Sequence, residues 1–302
     1  MKPVVCIAGP TASGKSAWAV QIAKSVNGEI INADAMQVYS DLRVISARPD
    51  VQEMEDVPHH LFGHVDGAIR YSTGMWLRDA VPVILDIMAR GRVPIVTGGT
   101  GLYFKALTQG LAAVPDADIS DATALLDKDG IKALRATALR LDPIATARVL
   151  GDDPQRLIRI VSVARNTAKP LSVWQADTKP IVPRRYWRGA VLLPDRAQLY
   201  ARINARFDAM VDTGGLDEVR ALMLRGLPAD LPVMKAIGVQ QFKDCLDNAD
   251  ALAASIKIAK RDTRRFAKRQ FTWFRGQAAD WDTVENVSQR TAFMAKISNF
   301  ND

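Results

Sequence analysis

The sequence predicts an α/β fold: a parallel sheet covered by helices, with a smaller, mainly helical domain inserted into it. Three observations carry this expectation. Over the first hundred residues, short apolar runs alternate with helical stretches, the pattern of strands joined by crossover helices. From about Pro115 to Pro194 the apolar residues thin into helical spacing. An apolar run then returns at "GAVLLPD", and long helices follow it.

Taken in order, "PVVCIAG" reads as a buried strand and "GKSAWAVQIAKSV" as the helix after it. "GEIINAD" is a second strand. "STGMWLRDAVPVILDIMARG" is a helix with Ser72 or Thr73 as its cap and Pro82 as an interior kink. "VPIVTGG" is another strand and "LYFKALTQG" another helix. In the insertion, helices are expected over 122–141 and 153–168, ahead of the proline-containing stretch "KPLSVWQADTKPIVPRRYW". After the returning strand come helices over 197–214, 216–226 and 252–276. The domain bounds expected are 1–115 with 191–302 for the sheet-bearing core, and 116–190 for the insertion.

The chain's 302 residues are 48% hydrophobic and 24% charged, ordinary for a globular protein with a sizeable core. The opening "MKPVVCIAGP" has one lysine and no sustained apolar stretch, so neither a signal peptide nor a membrane span is expected. Cys6 and Cys245 lie far apart and suggest no disulfide or metal framework, which fits a reducing, cytoplasmic location. The net charge of +7 is concentrated: from Ser255 to Arg275 there are eight basic residues and one acid, Asp262. A basic segment on a near-neutral body is the footprint of a polyanion-binding surface.

Four stretches carry chemistry. The first is the loop Gly9, Pro10, Thr11, Ala12, Ser13, Gly14, Lys15 and Ser16, a glycine and four residues before Gly-Lys-Ser, between a strand and a helix. Its glycines let amides converge on an anion at a helix N-terminus, Lys15 adds a point charge, and the Ser16 hydroxyl is placed to ligate magnesium. The core is therefore expected to be of the P-loop type. The second is "INADAMQVY", where Asp34 falls at the carboxyl end of a strand, the edge that faces the ligand crevice in open parallel sheets. There it serves either as proton acceptor or as a turn cap, and both readings remain open.

The third stretch, "TGGTGLYFKAL", again places glycines between strand and helix, around Thr100. The strand ends in Thr97 and glycines, where a nucleoside-triphosphate hydrolase ends in a magnesium-holding acid. The fourth is the basic segment. Lys257, Lys260, Arg261, Arg264, Arg265, Lys268 and Arg269 recur at helical spacing and cover about half the circumference, with only Asp262 among them to pair with. Phe271, Trp273 and Phe274 follow; docking of the helix is expected for most of them, with base stacking as the other use of such rings. His59, His60 and His64 cluster without a partner to complete a metal set, and Asp86 is expected at the surface of its helix.

In order, "GPTASGKS", "NADAMQVY", "PHHLF", "VTGGTGLYFKAL", "DDPQRLIR" and "AKRQFTWFR" resemble the bacterial-type tRNA dimethylallyltransferase family, between residues 8 and 275. The resemblance implies transfer of a dimethylallyl group from dimethylallyl diphosphate, with Mg2+, to the exocyclic amine of the adenosine just 3′ of the anticodon. It implies that Gly9 to Ser16 hold a diphosphate, that Thr11 donates to the bridging oxygen, and that Asp34 accepts the amine proton. Arg206, or alternatively Arg202, would reach the leaving diphosphate. Ala35, Met36, Gln37 and Thr100 would contact the target nucleotide. Gln155, Arg156, Leu157, Ile158 and Arg159 would touch the anticodon stem-loop, and Lys260, Arg264, Lys268 and Arg269 would line the RNA face. A monomer with no membrane partner is expected.

Two departures stand out: Ala35 replaces the family's usual Ser, and "VISARP" replaces "IGTAKP", with Arg48 keeping the positive charge. Three other readings fit parts of the pattern. A small-molecule kinase would use the phosphate loop and Asp34 and consume ATP without RNA. An adenylate isopentenyltransferase would leave the basic helix idle. A non-catalytic RNA-binding protein would not need Asp34.

Overall fold

The computed structural model describes residues 3–167, 169–246 and 248–298. Strand β1 (Val4–Ala8) is buried at every residue, as a strand covered on both faces must be. It leads into α1 (Lys15–Val26), then β2 (Gly28–Asn32), the short α2 (Val51–Met54) and β3 (His59–His60). Next come α3 (Thr73–Ala89), β4 (Val93–Gly98) and α4 (Gly101–Gln109). Ser72 caps α3 by accepting from the Met75 amide, and the helix continues through Pro82.

The chain then forms α5 (Ser120–Leu141), α6 (Pro143–Ala147), α7 (Pro154–Thr167) and α8 (Leu171–Ala176). Ala168, the last residue of the helix expected over 153–168, lies outside the described residues. Gly130, at φ 78°, interrupts α5, so the single helix expected there is two segments. Strand β5 (Trp187–Leu192) is followed by α9 (Arg196–Asp212), α10 (Gly215–Leu224), α11 (Val239–Lys243) and α12 (Leu252–Gln277). β6 (Asp282–Val284) and α13 (Val287–Ser298) close the chain.

The six strands form one sheet in the order β3-β2-β4-β1-β5-β6. Every pairing is parallel, with Ala8 beside both Gly98 and Val191. Alternation along β1 sends Val4, Cys6 and Ala8 to one face and Val5 and Ile7 to the other. The first face packs under Trp76, Phe104, Ile203, Phe271 and Phe274; the second packs under Trp18, Ile22, Phe293 and Ile297.

Two compact units result: residues 1–108 with 182–302, and residues 109–181. Residues 109–115 thus group with the insertion and 182–190 with the sheet, because β5 begins at Trp187. The smaller unit has its own core, with Leu134, Leu157 and Val161 fully buried. Within it, buried Asp142 caps the Ala145 amide at 2.9 Å and accepts from the Ser172 amide at 2.7 Å.

Candidate active site

The loops leaving β1, β2 and β4 emerge at the same edge of the sheet, the carboxyl edge where parallel α/β folds bind ligands. In the first loop the Ser13 amide donates to the Pro10 carbonyl at 3.2 Å, and Gly14 takes a left-handed conformation, φ 86°, before α1 starts. The first amides of a helix have no intrahelical partner, so the start of α1 is suited to an anion. Lys15 Nζ donates to the Pro10 carbonyl at 3.3 Å. Its surroundings are dense enough that burial pushes its pKa down to about 8; the Asp34 charge opposes the shift and Arg206 adds to it. Ser16 is exposed in the first turn of α1.

Asp34 caps the turn, as one reading of its position expected, and it also lines the cavity described below. Its amide donates to Asn32 Oδ1 at 2.9 Å, and its Oδ1 accepts from the Met36 amide at 3.0 Å, so one carboxylate oxygen caps the turn. The other, Oδ2, faces the β4 loop: a Cβ on Gly99 would stand 3.3 Å from it. Thr100 locks that loop to the second one, its Oγ1 accepting from the Ala35 amide at 2.9 Å and its own amide donating to the Ala33 carbonyl at 3.1 Å. A Cβ on Gly98 would come within 2.1 Å of the Ala33 carbonyl group, so this approach requires glycine. Because the Ala35 contact is made by its backbone, the missing serine hydroxyl takes no part in it. Gln37 is occupied structurally, with Nε2 donating to the Ser46 and Ala47 carbonyls of "VISARP" at 3.1 and 2.7 Å.

From α9, Arg206 donates through Nη2 to Thr11 Oγ1. Burial lowers its pKa, while Asp34 and Glu53 favour its charge. Arg202, one turn earlier and exposed, lies instead beside Gly14, where a Cβ would be 3.9 Å from its Nη1. The two arginines thus flank opposite ends of the phosphate loop.

Sequence reasoning missed Gln270. This buried side chain accepts from the Thr11 amide through Oε1 at 2.9 Å and donates through Nε2 to the Gly99 carbonyl at 2.9 Å. It clamps the β1 and β4 loops together from α12. Its only local signal was a polar residue on the apolar side of a basic helix.

These groups meet in a cavity of about 580 Å3. Thr11, Asp34, Thr100, Arg206 and Gln270 form polar wall, and Ile45, Phe207, Met210, Phe266 and Trp273 form apolar wall. Phe271 and Phe274 dock into the core as expected, whereas Trp273 is half-buried at the cavity and lies over Gly101, where a Cβ would be 2.3 Å from its ring.

The basic face of α12 departs from expectation: Asp262 is not its only acid partner. Lys260 pairs with Asp208 of α9 at 2.5 Å, and Arg264 donates to Asn204 Oδ1 at 2.7 Å. Arg261 and Arg265 share Asp262 at 3.0 and 3.8 Å. Lys268 and Arg269 are exposed, and among the described residues neither has an ion pair. On α7, Gln155 and Arg156 are exposed and Ile158 and Arg159 partly so, but Leu157 is fully buried in the core of its unit and offers no side chain to a partner. The histidines are committed elsewhere: His59 Nδ1 is 2.7 Å from the Val57 carbonyl, His60 Nε2 is 2.6 Å from Glu29, and His64 Nε2 is 3.3 Å from the Tyr71 hydroxyl.

A parallel α/β sheet, a Gly-x4-Gly-Lys-Ser loop, and a carboxylate and arginine converging on it without a strand-end acid define a P-loop-type protein. Comparison with known proteins is more specific. The model of the IPP transferase family matches residues 37–277, and that of the isopentenyl transferases matches residues 2–62. The tRNA dimethylallyltransferase of Maricaulis maris is 53% identical over 98% of this chain and 97% of its own, and that of a Caulobacter species is 49% identical over 94% and 93%. The tRNA isopentenylpyrophosphate transferase of Bacillus halodurans superposes with a TM-score of 0.70 at 32% identity, over 99% of this chain and 97% of that one. A eukaryotic dimethylallyltransferase acting on tRNA superposes with a TM-score of 0.78 at 29% identity, over 91% and 70%. The chain belongs to the IPP transferase family.

Proposed function

We propose that this chain transfers a dimethylallyl group from dimethylallyl diphosphate to N6 of the adenosine immediately 3′ of the anticodon in tRNA, releasing diphosphate. The observation that carries this is the meeting of Thr11 of the phosphate loop, Asp34 and Arg206 in one cavity, in a chain of this family. An exocyclic amine is a weak nucleophile because its lone pair is delocalised, so positioning and proton acceptance both count. The N6–carbon bond forms as the carbon–oxygen bond to diphosphate breaks, and Asp34 Oδ2 accepts the amine proton.

The leaving diphosphate takes the bonding electron pair and is stabilised by Lys15, Arg206 and the loop amides from Gly9 to Ser16. Because Thr11 Oγ1 accepts from Arg206, its own hydrogen is free to point at the bridging oxygen. Thr97 and Gly98 in place of a strand-end acid support a diphosphate over a triphosphate, against the kinase alternative.

Magnesium fits this donor set. Among the described residues no three acidic, histidine or cysteine side chains form a metal cluster. A hard cation that keeps several of its waters would need only the Ser16 hydroxyl, exposed in the first turn of α1, from the protein. Bound there, it would neutralise charge developing on the diphosphate.

The RNA would meet Ala35, Met36 and Thr100 at the reacting base, Gln155, Arg156 and Arg159 on the insertion, and Lys268 and Arg269 on α12, with Lys260 and Arg264 adding local charge. A base flipped from a single-stranded loop costs less to extract than one from duplex. A tRNA substrate is in keeping with a cytoplasmic location. No helix among the described residues is long and apolar enough to cross a membrane. Mass analysis of tRNA nucleosides after incubation with dimethylallyl diphosphate and Mg2+ tests the proposal. A prenylated adenosine next to the anticodon is expected, and unmodified nucleosides from several such tRNAs would overturn it.

A further inference from the structure

Helix α13, for which the sequence suggested no role, brings a second arginine to the outer end of the phosphate loop. The point where a Cβ on Gly14 would sit is 3.8 Å from Arg290 Nη2 and 3.9 Å from Arg202 Nη1. The two guanidinium groups approach Gly14 from different helices, α13 and α9. Among the described residues no carboxylate lies within 4.0 Å of either guanidinium. Burial and the neighbouring Arg202 both lower the pKa of Arg290, the mark of two like charges held near one another.

The placement of Arg290 is built rather than incidental. Phe293, one turn further along α13, is buried against Trp18 of α1 with ring centroids 5.6 Å apart, and the Arg290 guanidinium lies over the same indole at 5.7 Å. Packing therefore aims this arginine at the amino end of α1. Two unpaired cations directed at one point favour an anion between them.

We propose that Arg202 and Arg290 form a clamp for the terminal phosphate of the diphosphate, opposite Arg206, which serves the phosphate joined to the reacting carbon. The proposal rests on the diphosphate reading of the loop. Arg202 and Arg206 lie four residues apart on α9, about 6 Å along the axis, so both side chains leave the same face of the helix toward the loop. The terminal phosphate keeps its contacts from the ground state to the transition state, so this clamp binds substrate and product without acting on the breaking bond. Arg202 and Arg290 are thus binding and positioning residues, whereas Arg206 acts on the leaving group itself.

Titration of the full-length protein with inorganic diphosphate and Mg2+, in the absence of tRNA, tests the clamp. Arg290→Ala and Arg202→Ala are each expected to weaken diphosphate binding about tenfold, with Arg290→Lys recovering part of the loss. KM for dimethylallyl diphosphate should rise by a similar factor while kcat stays within about twofold, the pattern of uniform binding. Arg206→Ala should instead lower kcat. Arg290→Lys keeps the aliphatic stem over Trp18, so its partial recovery separates charge from packing. Diphosphate affinity in Arg290→Ala within twofold of wild type would overturn the clamp, as would loss of tRNA affinity alone. A wild-type protein that binds no diphosphate would overturn the reading of the loop as well.

Discussion

Two clusters of charge occupy opposite ends of the same sheet, and they are built on opposite plans. At the amino end of β2, the carboxylate of Glu29 is 1% exposed and fully engaged. It accepts from Arg90 at 2.8 Å, Arg92 at 2.7 Å and His60 at 2.6 Å. Hydrogen bonding from Arg90, foremost, and from His60 outweighs burial and holds its pKa down at about 2. At the carboxyl end, Lys15, Arg206, Arg202 and Arg290 gather around the phosphate loop with Asp34 and Glu53 as carboxylates acting on Arg206. In the first cluster Glu29 and Asp86 match the charges of Arg90 and Arg92 on folding, with Arg92 Nε the one buried donor of the cluster left without a partner among the described residues. The second carries surplus positive charge, which the diphosphate of the proposed reaction would match. Buried charge alone does not mark a functional site; unmatched charge at a ligand edge does.

The largest effect should come from the acid among the cations. Asp34→Ala is expected to cut single-turnover transfer by about 10²–10⁴-fold while leaving tRNA affinity within a few fold. A matched loss of affinity would make Asp34 a binding residue.

At the other end of β2, Glu29→Gln should destabilise the fold by about 3 kcal/mol in urea unfolding, because it leaves arginines without their carboxylate. The activity of folded molecules should be unaffected. The folded-state pKa of Glu29 lies below its unfolded value, so its contribution is fully present above about pH 4.5 and is lost as pH falls toward about 2. Glu29→Gln should remove that part of the acid sensitivity.

A smaller effect should follow from Lys15. Its charge is lost as pH rises through about 8 in the free protein, and bound diphosphate favours the charged form. Relative to Lys15→Ala, which shares the ligand's own titration, wild-type diphosphate affinity should therefore fall by up to about tenfold per pH unit above pH 8. The same titration run on both proteins measures that difference.

The smallest effects belong to the RNA face. Lys268→Ala and Arg269→Ala should each reduce the salt dependence of tRNA binding by up to about one unit of log–log slope. Lys260→Ala should change it less, because Asp208 already neutralises that charge. Equal slopes for all three would mean that the Asp208 pair opens when RNA binds.

What could be read locally was read well. The glycine-rich first loop, β1, β2, β4 and the helices α1, α3 and α4 follow from runs and periods of a few residues, where backbone geometry leaves few choices. The capping and cavity-facing roles of Asp34 were both visible as possibilities, because they depend on its position just beyond a strand. The two edge strands β3 and β6 escaped notice. They are two and three residues long and have no period of their own; pairing with β2 and β5 makes them strands. Leu157 was mistaken for a surface contact because a motif does not tell which of its residues turn inward.

The sequence by itself determined the sheet-and-helix class, the phosphate loop, the family and the acid at its edge, all written within short stretches of chain. Tertiary packing decided which charges remain unmatched. Gln270 reaches Thr11 across 259 positions, Asp208 neutralises Lys260 from another helix, and Arg290 meets Arg202 only because Phe293 docks on Trp18. Pairings between distant residues leave no periodic trace in a single chain. Charge becomes matched or unmatched only when the elements come together.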